Sequence, residues 1–241
     1  QNWVDSGKVG KISEVKVWTN RPVWPQGVKM PSPNSSLKPK SLDWNLWLGP
    51  ASEKEYTPNL HPFNWRGWWE YGTGALGDVG CHLIDIPFRT LGLKYPKSAE
   101  CSVGSVFTKM WNPDYFPEGC PPSSLITLNF DSTEKSKSPI ELTWTDGGIR
   151  PPHPDIIPAN SDIGGEDSLN GVMMIGDKGI ISTNINDSSP LMPKLYLFDG
   201  DTEFGPETEQ MPEPEYGHQR KWVDACKAGF NSKQHMELTS S

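Results

Sequence analysis

An aspartate and a histidine stand four positions apart near the middle of the chain. On a helix, Asp78 and His82 would share one face, so they could meet the same ligand or each other. Proton transfer from an alcohol needs a base whose pKa lies near the working pH, and an imidazole beside a carboxylate meets that need. Asp85 continues the same stripe. The spacing therefore predicts an acid/base pair on one helix face.

Spacing alone leaves two other interpretations of this pair open. In the first, Asp78 caps the helix N-terminus and His82 is a hydrogen-bonded residue of the helix surface. In the second, both side chains bind a metal ion together with another ligand such as His153. The cysteines form neither a C-x-x-C nor a Cys/His pair at zinc spacing, so neither a zinc knuckle nor a redox dithiol is predicted, and no residue is assigned as a metal ligand. Free thiols are expected at Cys81, Cys101, Cys120 and Cys226.

A glycine run directly precedes this motif. Gly72 to Gly77 matches G-x-G-x-x-G, which in dinucleotide-binding proteins follows a buried apolar strand. The preceding residues, Trp65 to Tyr71, are bulky and partly charged, so a nucleotide loop is disfavoured. We expect instead that the glycines let the backbone approach a ligand closely at a helix N-terminus.

Tryptophan is the most unusual component of the sequence, with 11 residues in a chain of 241. Large amphipathic rings either fill a core or line a pocket, where they can stack on a sugar ring. The Arg66 guanidinium could bind sugar hydroxyls, a carboxylate or a cofactor phosphate, or it could form a surface ion pair. The alternative to stacking on a sugar is packing in the core, and we expect it for at least half of the four tryptophans named below. The predicted substrate-binding residues are Arg66, Trp24, Trp65, Trp68, Trp69, Asn64 and His153.

Periodicity indicates which elements position these residues. Residues 78–91 are predicted to form one amphipathic helix that Pro87 kinks or shortens, and residues 21–40 form a proline-rich loop. Short helices are expected at residues 43–48 and 215–228. The successive strands have no helices between them, which predicts an antiparallel sheet. The expected strands cover residues 9–20, 99–108, 124–130, 140–145, 171–182 and 194–198.

Composition and charge exclude several functional classes. The 22 basic and 30 acidic residues give a net charge of −8, and no basic run suggests a nucleic-acid or membrane surface. No apolar run reaches membrane-spanning length. The chain begins without Met and inside a predicted helix end, so we expect a fragment of a longer protein, whose localisation cannot be inferred.

Three tryptophan-rich segments carry a resemblance to a known family. Residues 61–85, with residues 16–27 and 42–50, resemble the C-terminal domain of the Gfo/Idh/MocA oxidoreductases, and in particular their Trp-rich bacterial NADH-dependent members. The specific signature is the glycine/alanine run followed by the D-x-G-x-H pattern of Asp78 and His82. The likeness extends from Gly7 to about Gly229.

The resemblance implies a fold and a function. It implies an α/β (α+β) domain, here taken as one domain over residues 1–241. This domain has an open, mostly antiparallel sheet with helices on one face, like the C-terminal domains of dihydrodipicolinate reductase and glyceraldehyde-3-phosphate dehydrogenase. His82 is implied as general acid/base at the carbinol hydroxyl, and Asp78 as the residue that orients it or binds substrate. The family's catalytic lysine, in a Glu-Lys-Pro motif of the Rossmann domain, has no counterpart in the chain.

The implied reaction is hydride transfer between a sugar or polyol and NAD or NADP in the longer protein. No cofactor is expected on the fragment itself, and a homo-oligomer through the open sheet face is implied. Two alternatives remain, namely an NAD-dependent glycoside hydrolase of the same family and a carbohydrate-binding or assembly module without chemistry.

Overall fold

A computed structural model describes residues 1–159, 163, 170–185, 193–205 and 217–233. The chain divides into two compact units, Gln1–Gly205 and Pro206–Ser241. In the second unit, the described element is one helix of twelve residues, Gly217–Ala228, which agrees with the predicted helix at this position. No helix in the described ranges is long and apolar enough to cross a membrane.

The first unit combines short helices with ten strands. The helices are α1 (Asn2–Asp5), α2 (Trp44–Leu48), α3 (Gly74–Leu83) and α4 (Asp85–Leu91). The strands are β1 (Ile12–Thr19), β2 (Ser98–Val103), β3 (Val106–Lys109), β4 (Asn112–Asp114), β5 (Ser124–Phe130), β6 (Ile140–Thr145), β7 (Asn170–Gly176), β8 (Gly179–Ile185), β9 (Lys194–Leu197) and β10 (Thr202–Phe204). The helix of the second unit is α5.

Eight strands form one open sheet in the order β10-β9-β8-β7-β1-β6-β5-β2. The central pair β1 and β6 is parallel, and the other neighbouring pairs in this sheet are antiparallel. A parallel pair requires a long connection, and here the connection contains α2, α3 and α4. The predicted open, mostly antiparallel sheet is confirmed. Strands β3 and β4 form a separate hairpin.

The helices α3 and α4 cover one face of the sheet. Val15 and Val17 of β1 point to this face because side chains alternate along a strand, and they share a core with Val79 and Leu83 of α3. Trp144 of β6, paired with Val17, is completely buried in the same core. The predicted arrangement with helices on one face is therefore confirmed.

The opposite face of the sheet differs in composition along its width. Beside β1, Trp18 is buried with Met173 and Tyr196 in a second apolar cluster. Towards the β2 edge, Lys16 pairs in register with Thr143, and both line an open cleft. This half of the face therefore carries accessible polar side chains.

A third cluster lies outside the sheet, in the long connection between β1 and α3. Trp44 and Trp68 are buried there, and the Trp44 ring stacks on Trp47 with centroids 4.6 Å apart. Asp43 caps α2 by accepting a hydrogen bond from the Leu46 amide at 3.1 Å. Aromatic packing therefore gives this irregular segment its own core.

Two predicted elements differ from the structure. The single helix over residues 78–91 is wrong, because α3 begins earlier, at Gly74, and the break falls at Ile84 rather than Pro87. Pro87 lies in the first turn of α4, where a missing amide costs nothing. The predicted strand over residues 99–108 is divided after Val103 into β2 and β3.

Gly171 tests the packing of the central sheet. It pairs with Trp18 in register, and a Cβ at this position would overlap the buried indole. We expect Gly171→Ala to lower the free energy of unfolding by about 1–3 kcal/mol, as overpacking does. The measurement is urea denaturation followed by circular dichroism. As a control, Gly80→Ala in α3 meets only flexible side-chain ends of Leu76 and Ile84 and should leave stability nearly unchanged or slightly raised.

Candidate functional site

Asp78 and His82 both lie on α3, as their spacing predicts. The packing of Val79 and Leu83 against the sheet turns the face that carries these two residues away from the core. His82 is exposed, and Asp78 is partly exposed. Within the described ranges no hydrogen bond joins the two side chains, so each is available to a ligand separately.

Asp78 is held by Arg66. The Arg66 Nε donates to Asp78 Oδ1 at 2.9 Å, and Nη1 donates to the Phe63 carbonyl at 3.0 Å. The guanidinium carbon lies 4.5 Å from the ring centroids of both Phe63 and Trp65 and 5.8 Å from that of Trp24. Because the pair is partly exposed, the ion pair itself contributes about 1 kcal/mol or less. Its main effect is geometric, since ring contacts and two hydrogen bonds fix the guanidinium beside Asp78.

The four tryptophans predicted to bind substrate have different environments. Trp68 is 1% exposed in the third cluster, so stacking on a ligand is wrong for this residue. Trp24 is 5% exposed and its Nε1 donates to Gln26, so its expected ligand contact is also wrong. Trp65 is partly buried beneath the Arg66 guanidinium. Trp69 is 53% exposed and lines a cavity, which leaves it accessible for stacking.

The other two predicted substrate-binding residues, Asn64 and His153, also lie in different parts of the structure. Asn64 begins the 3₁₀ turn Asn64–Gly67 that also carries Arg66, so it lies near Asp78. His153 is exposed, and its Nδ1 lies 3.1 Å from the Pro154 carbonyl. It directly follows Arg150–Pro152, which line the cleft on the sheet face opposite α3. His153 therefore follows the cleft residues in sequence, and its contact with substrate stays a prediction.

A metal site would require Asp78, His82 and a further ligand such as His153 to surround one ion. Among the described residues, no group of three or more His, Cys, Asp or Glu side chains could hold a metal ion. The candidate site is therefore described by Asp78, His82 and Arg66.

The glycine run has a packing role that the sequence did not indicate. A Cβ at Gly72 would contact the backbone of Arg66, so this glycine allows two parts of the chain to meet. The preceding residues form the turn Asn64–Gly67 and an isolated bridge at Trp68 rather than a buried strand. The run therefore does not fit a dinucleotide loop, and no described residue is assigned to a cofactor. Of the glycines expected to let the backbone approach a ligand, Gly72 packs against Arg66, whereas Gly74 and Gly77 line a cavity.

A cavity of about 540 Å³ lies at the first turn of α3. Residues 73–77 form one wall and the end of β2 forms another. Further lining comes from most of the segment Asp114–Pro122 and from Gln26, Trp69, Ile126 and Asp146. Sequence reasoning missed this site, although Tyr115-Phe116-Pro117 and Pro121-Pro122 form an aromatic and proline-rich stretch of the kind that lines pockets. The cavity directly adjoins the helix that carries Asp78.

The deepest polar groups of the cavity are already hydrogen-bonded within the chain. Asp146 is 3% exposed, and its Oδ2 accepts from Ser124 Oγ at 2.6 Å and from Trp144 Nε1 at 2.9 Å. Its Oδ1 accepts from the Ser124 amide. Gln26 accepts from Trp24 and donates to the Pro121 carbonyl. These bonds fix the floor of the cavity and satisfy its polar groups.

Cys120 lies in this wall and is fully buried. Burial raises the pKa of its thiol to about 11, because the thiolate is poorly solvated there. The four cysteines are free, as predicted, and Cys81, Cys101 and Cys226 are exposed. The surroundings of Cys120 therefore suppress its thiolate form.

Thiol labelling tests this environment. With a pKa of about 11, only about a thousandth of Cys120 is thiolate at pH 8, and access is also blocked. We expect Ellman's reagent at pH 8 to modify three thiols rapidly and the fourth only in denaturant. Cys120→Ala should remove the slow phase and leave the fast one intact. Rapid reaction of all four thiols in the folded protein would contradict the assigned burial.

Comparison with known proteins finds a family match over the site-bearing region. Residues 8–100 match the model of the Gfo/Idh/MocA oxidoreductase family, C-terminal alpha/beta domain. This range contains β1, α2, α3 and α4, and with them Asp78, His82 and Arg66. The resemblance inferred from the motifs is confirmed. No curated protein matches the chain.

Several solved structures are similar to the chain at low identity. The super-repressor mutant of Gal80p from Saccharomyces cerevisiae is 12% identical, covering 93% of this chain and 46% of its own, with a TM-score of 0.43. An NAD-binding oxidoreductase from Klebsiella pneumoniae is 15% identical, with coverages of 85% and 41% and a TM-score of 0.42. Levoglucosan dehydrogenase in complex with NADH and levoglucosan is 12% identical, with coverages of 85% and 41% and a TM-score of 0.42. The chain spans less than half the length of each of these proteins.

Proposed function

We propose that this chain is the substrate-binding domain of an NAD(P)-dependent oxidoreductase that acts on a sugar or polyol. The observation that carries the proposal is the arrangement on α3. An exposed histidine stands one turn from an aspartate that Arg66 fixes, within the region that matches the oxidoreductase family. A ligand-sized cavity adjoins the same helix. A compound whose hydroxyl group lies along α3 would meet a base and a hydrogen-bond acceptor together.

His82 is proposed as the group that takes the hydroxyl proton. A free imidazole nitrogen accepts the proton as the alcohol becomes a carbonyl, and returns it in the reverse direction. NAD or NADP, bound elsewhere in the whole protein, would accept the hydride from the same carbon. Because His82 is exposed, a substrate can reach it without any rearrangement of the α3 core.

Asp78 is proposed to position the substrate. Arg66 occupies Oδ1, and in the described ranges no donor is bonded to the second oxygen. That oxygen can accept a hydrogen bond from a neighbouring substrate hydroxyl. The charge-assisted hydrogen bond from Arg66 restrains rotation of the carboxylate, so the acceptor stays directed along α3.

Loss of His82 is the direct test. In the full-length protein, His82→Ala should lower kcat by roughly 10²–10⁴-fold, the usual contribution of a general acid/base. The measurement is NADH formation with a panel of sugars and polyols. Arg89→Ala, an exposed change on the neighbouring helix α4, should leave kcat unchanged. Equal turnover by His82→Ala and the parent protein would refute the assignment.

The same assay separates the related chemistries. Release of reducing sugar without net change in NADH would instead indicate NAD-dependent glycoside hydrolysis. Sugar binding that survives both Asp78→Ala and His82→Ala, with no turnover in the parent protein, would indicate a carbohydrate-binding or assembly module. Each result contradicts the dehydrogenase proposal in a distinguishable way.

We further propose that copies of the protein associate through the open sheet face. Leu125 and Ile149 are 40% and 43% exposed around the cleft, where Lys16 lies within 3.6 Å of Glu141. A face that mixes exposed apolar groups with both charge signs can pair with its own copy about a two-fold axis. This arrangement would leave α3 and its cavity free on the other face.

A charge placed on that face tests the association. Leu125→Arg should lower the apparent mass toward that of one chain in light scattering coupled to size exclusion. The reason is that two-fold symmetry brings two new positive charges together. Tyr95→Arg, at a residue 96% exposed outside the sheet, should leave the mass unchanged. An identical assembly in both variants would exclude this face as the interface.

A further inference from the structure

The cavity at the first turn of α3 is larger than a packing defect. Protein interiors rarely contain voids larger than a water molecule, whereas about 540 Å³ lies within the usual range of small-molecule pockets. Trp69 and Tyr115 stand at its opening and are 53% and 82% exposed. The space is therefore open to solvent at one side and bounded by rigid groups at the other.

The walls of the cavity are preformed by backbone hydrogen bonds between distant segments. The Gly27 amide donates to the Cys120 carbonyl at 2.7 Å, and the Cys120 amide donates to the Gly67 carbonyl at 2.8 Å. The Trp69 amide donates to the Glu118 carbonyl at 3.0 Å. Three segments are thereby connected before any ligand is present, so binding would require little reorganisation.

The chemistry of the lining points to an apolar ligand group. The lining is mainly apolar and includes Leu76, Val103, Phe116 and Ile126, and Trp69 supplies an aromatic plane. The buried polar side chains Asp146 and Gln26 are bonded to the chain's own donors and acceptors, so they offer little to a sugar hydroxyl. A polyol would lose its hydration in this space without compensation, whereas an aryl or compact alkyl group would gain from burial.

The location connects this space to the proposed reaction. Gly77 lines the cavity and Asp78 follows it immediately, and His82 lies about 7.5 Å further along the helix axis than Gly77. We propose that the cavity is a subsite for an apolar aryl or alkyl substituent of the substrate, whose hydroxyl-bearing part lies along α3. The assignment of the apolar group to the substrate rests on the proposed function. The binding of an apolar group in the cavity depends only on the cavity itself.

Binding of benzyl alcohol to the full-length protein tests the subsite without any sugar or cofactor. Saturation-transfer NMR should detect benzyl alcohol and not glycerol. Val103→Trp places an indole in the cavity from the exposed end of β2, and should weaken benzyl alcohol at least tenfold. Ala99→Trp lies on the same strand and the same face, four residues away and outside the lining, and should change the affinity less than twofold.

The possible results separate this proposal from the proposed function. His82→Ala should leave benzyl alcohol binding unchanged, even if it abolishes turnover. Absence of benzyl alcohol binding in the parent protein would overturn the subsite, because another part of the protein would then fill the cavity. Equal weakening by Val103→Trp and Ala99→Trp would also overturn it. In an active enzyme, Val103→Trp should raise KM for aryl-substituted substrates more than it lowers kcat.

Discussion

The rotation of α3 about its own axis is the constraint on which the site depends. Val79 and Leu83 are buried against the central strands, and this anchors one side of the helix. Because a helix repeats every 3.6 residues, the positions immediately before them, Asp78 and His82, must lie at the border with solvent. A rotation of one residue would exchange a valine for an aspartate in the core. Burial of Val79 and Leu83 therefore determines where the Asp78 and His82 side chains lie, although neither of these two belongs to the core.

A second layer of control comes from the aromatic connection between β1 and α3. The Arg66 guanidinium lies against the rings of Phe63 and Trp65, and the backbone of Arg66 packs on Gly72. The segment that fixes Asp78 is thus held both by ring contacts and by a close backbone approach. Buried Trp68 and Trp44 give this segment a core separate from that of the sheet. Four of the eleven tryptophans, namely Trp44, Trp47, Trp65 and Trp68, therefore stabilise irregular chain near the site.

Much of this arrangement could be predicted from the sequence. Period-two alternation located β5 and β6 at their observed ends, and the four-residue spacing placed Asp78 and His82 on one helix. Burial of individual tryptophans could not be predicted, because composition does not distinguish Trp68, in a core, from its exposed neighbour Trp69. The split between α3 and α4 depends on tertiary packing around Ile84. The cavity could not be predicted either, since its walls come from segments almost a hundred residues apart, such as Gln26 and Pro121.

The backbone connections between Gly27, Gly67 and Cys120 have a consequence for the evolution of this domain. Main-chain amides and carbonyls make these links, so most side chains that project from the same segments are not needed for them. Residues such as Tyr115 and Phe116 can therefore change through mutation while the frame that carries them persists. In such a scaffold, main-chain hydrogen bonds hold the fold, and side chains of the lining determine which ligand binds. Related chains could then acquire different preferences by substitution at the lining, with little effect on α3 and its two functional groups.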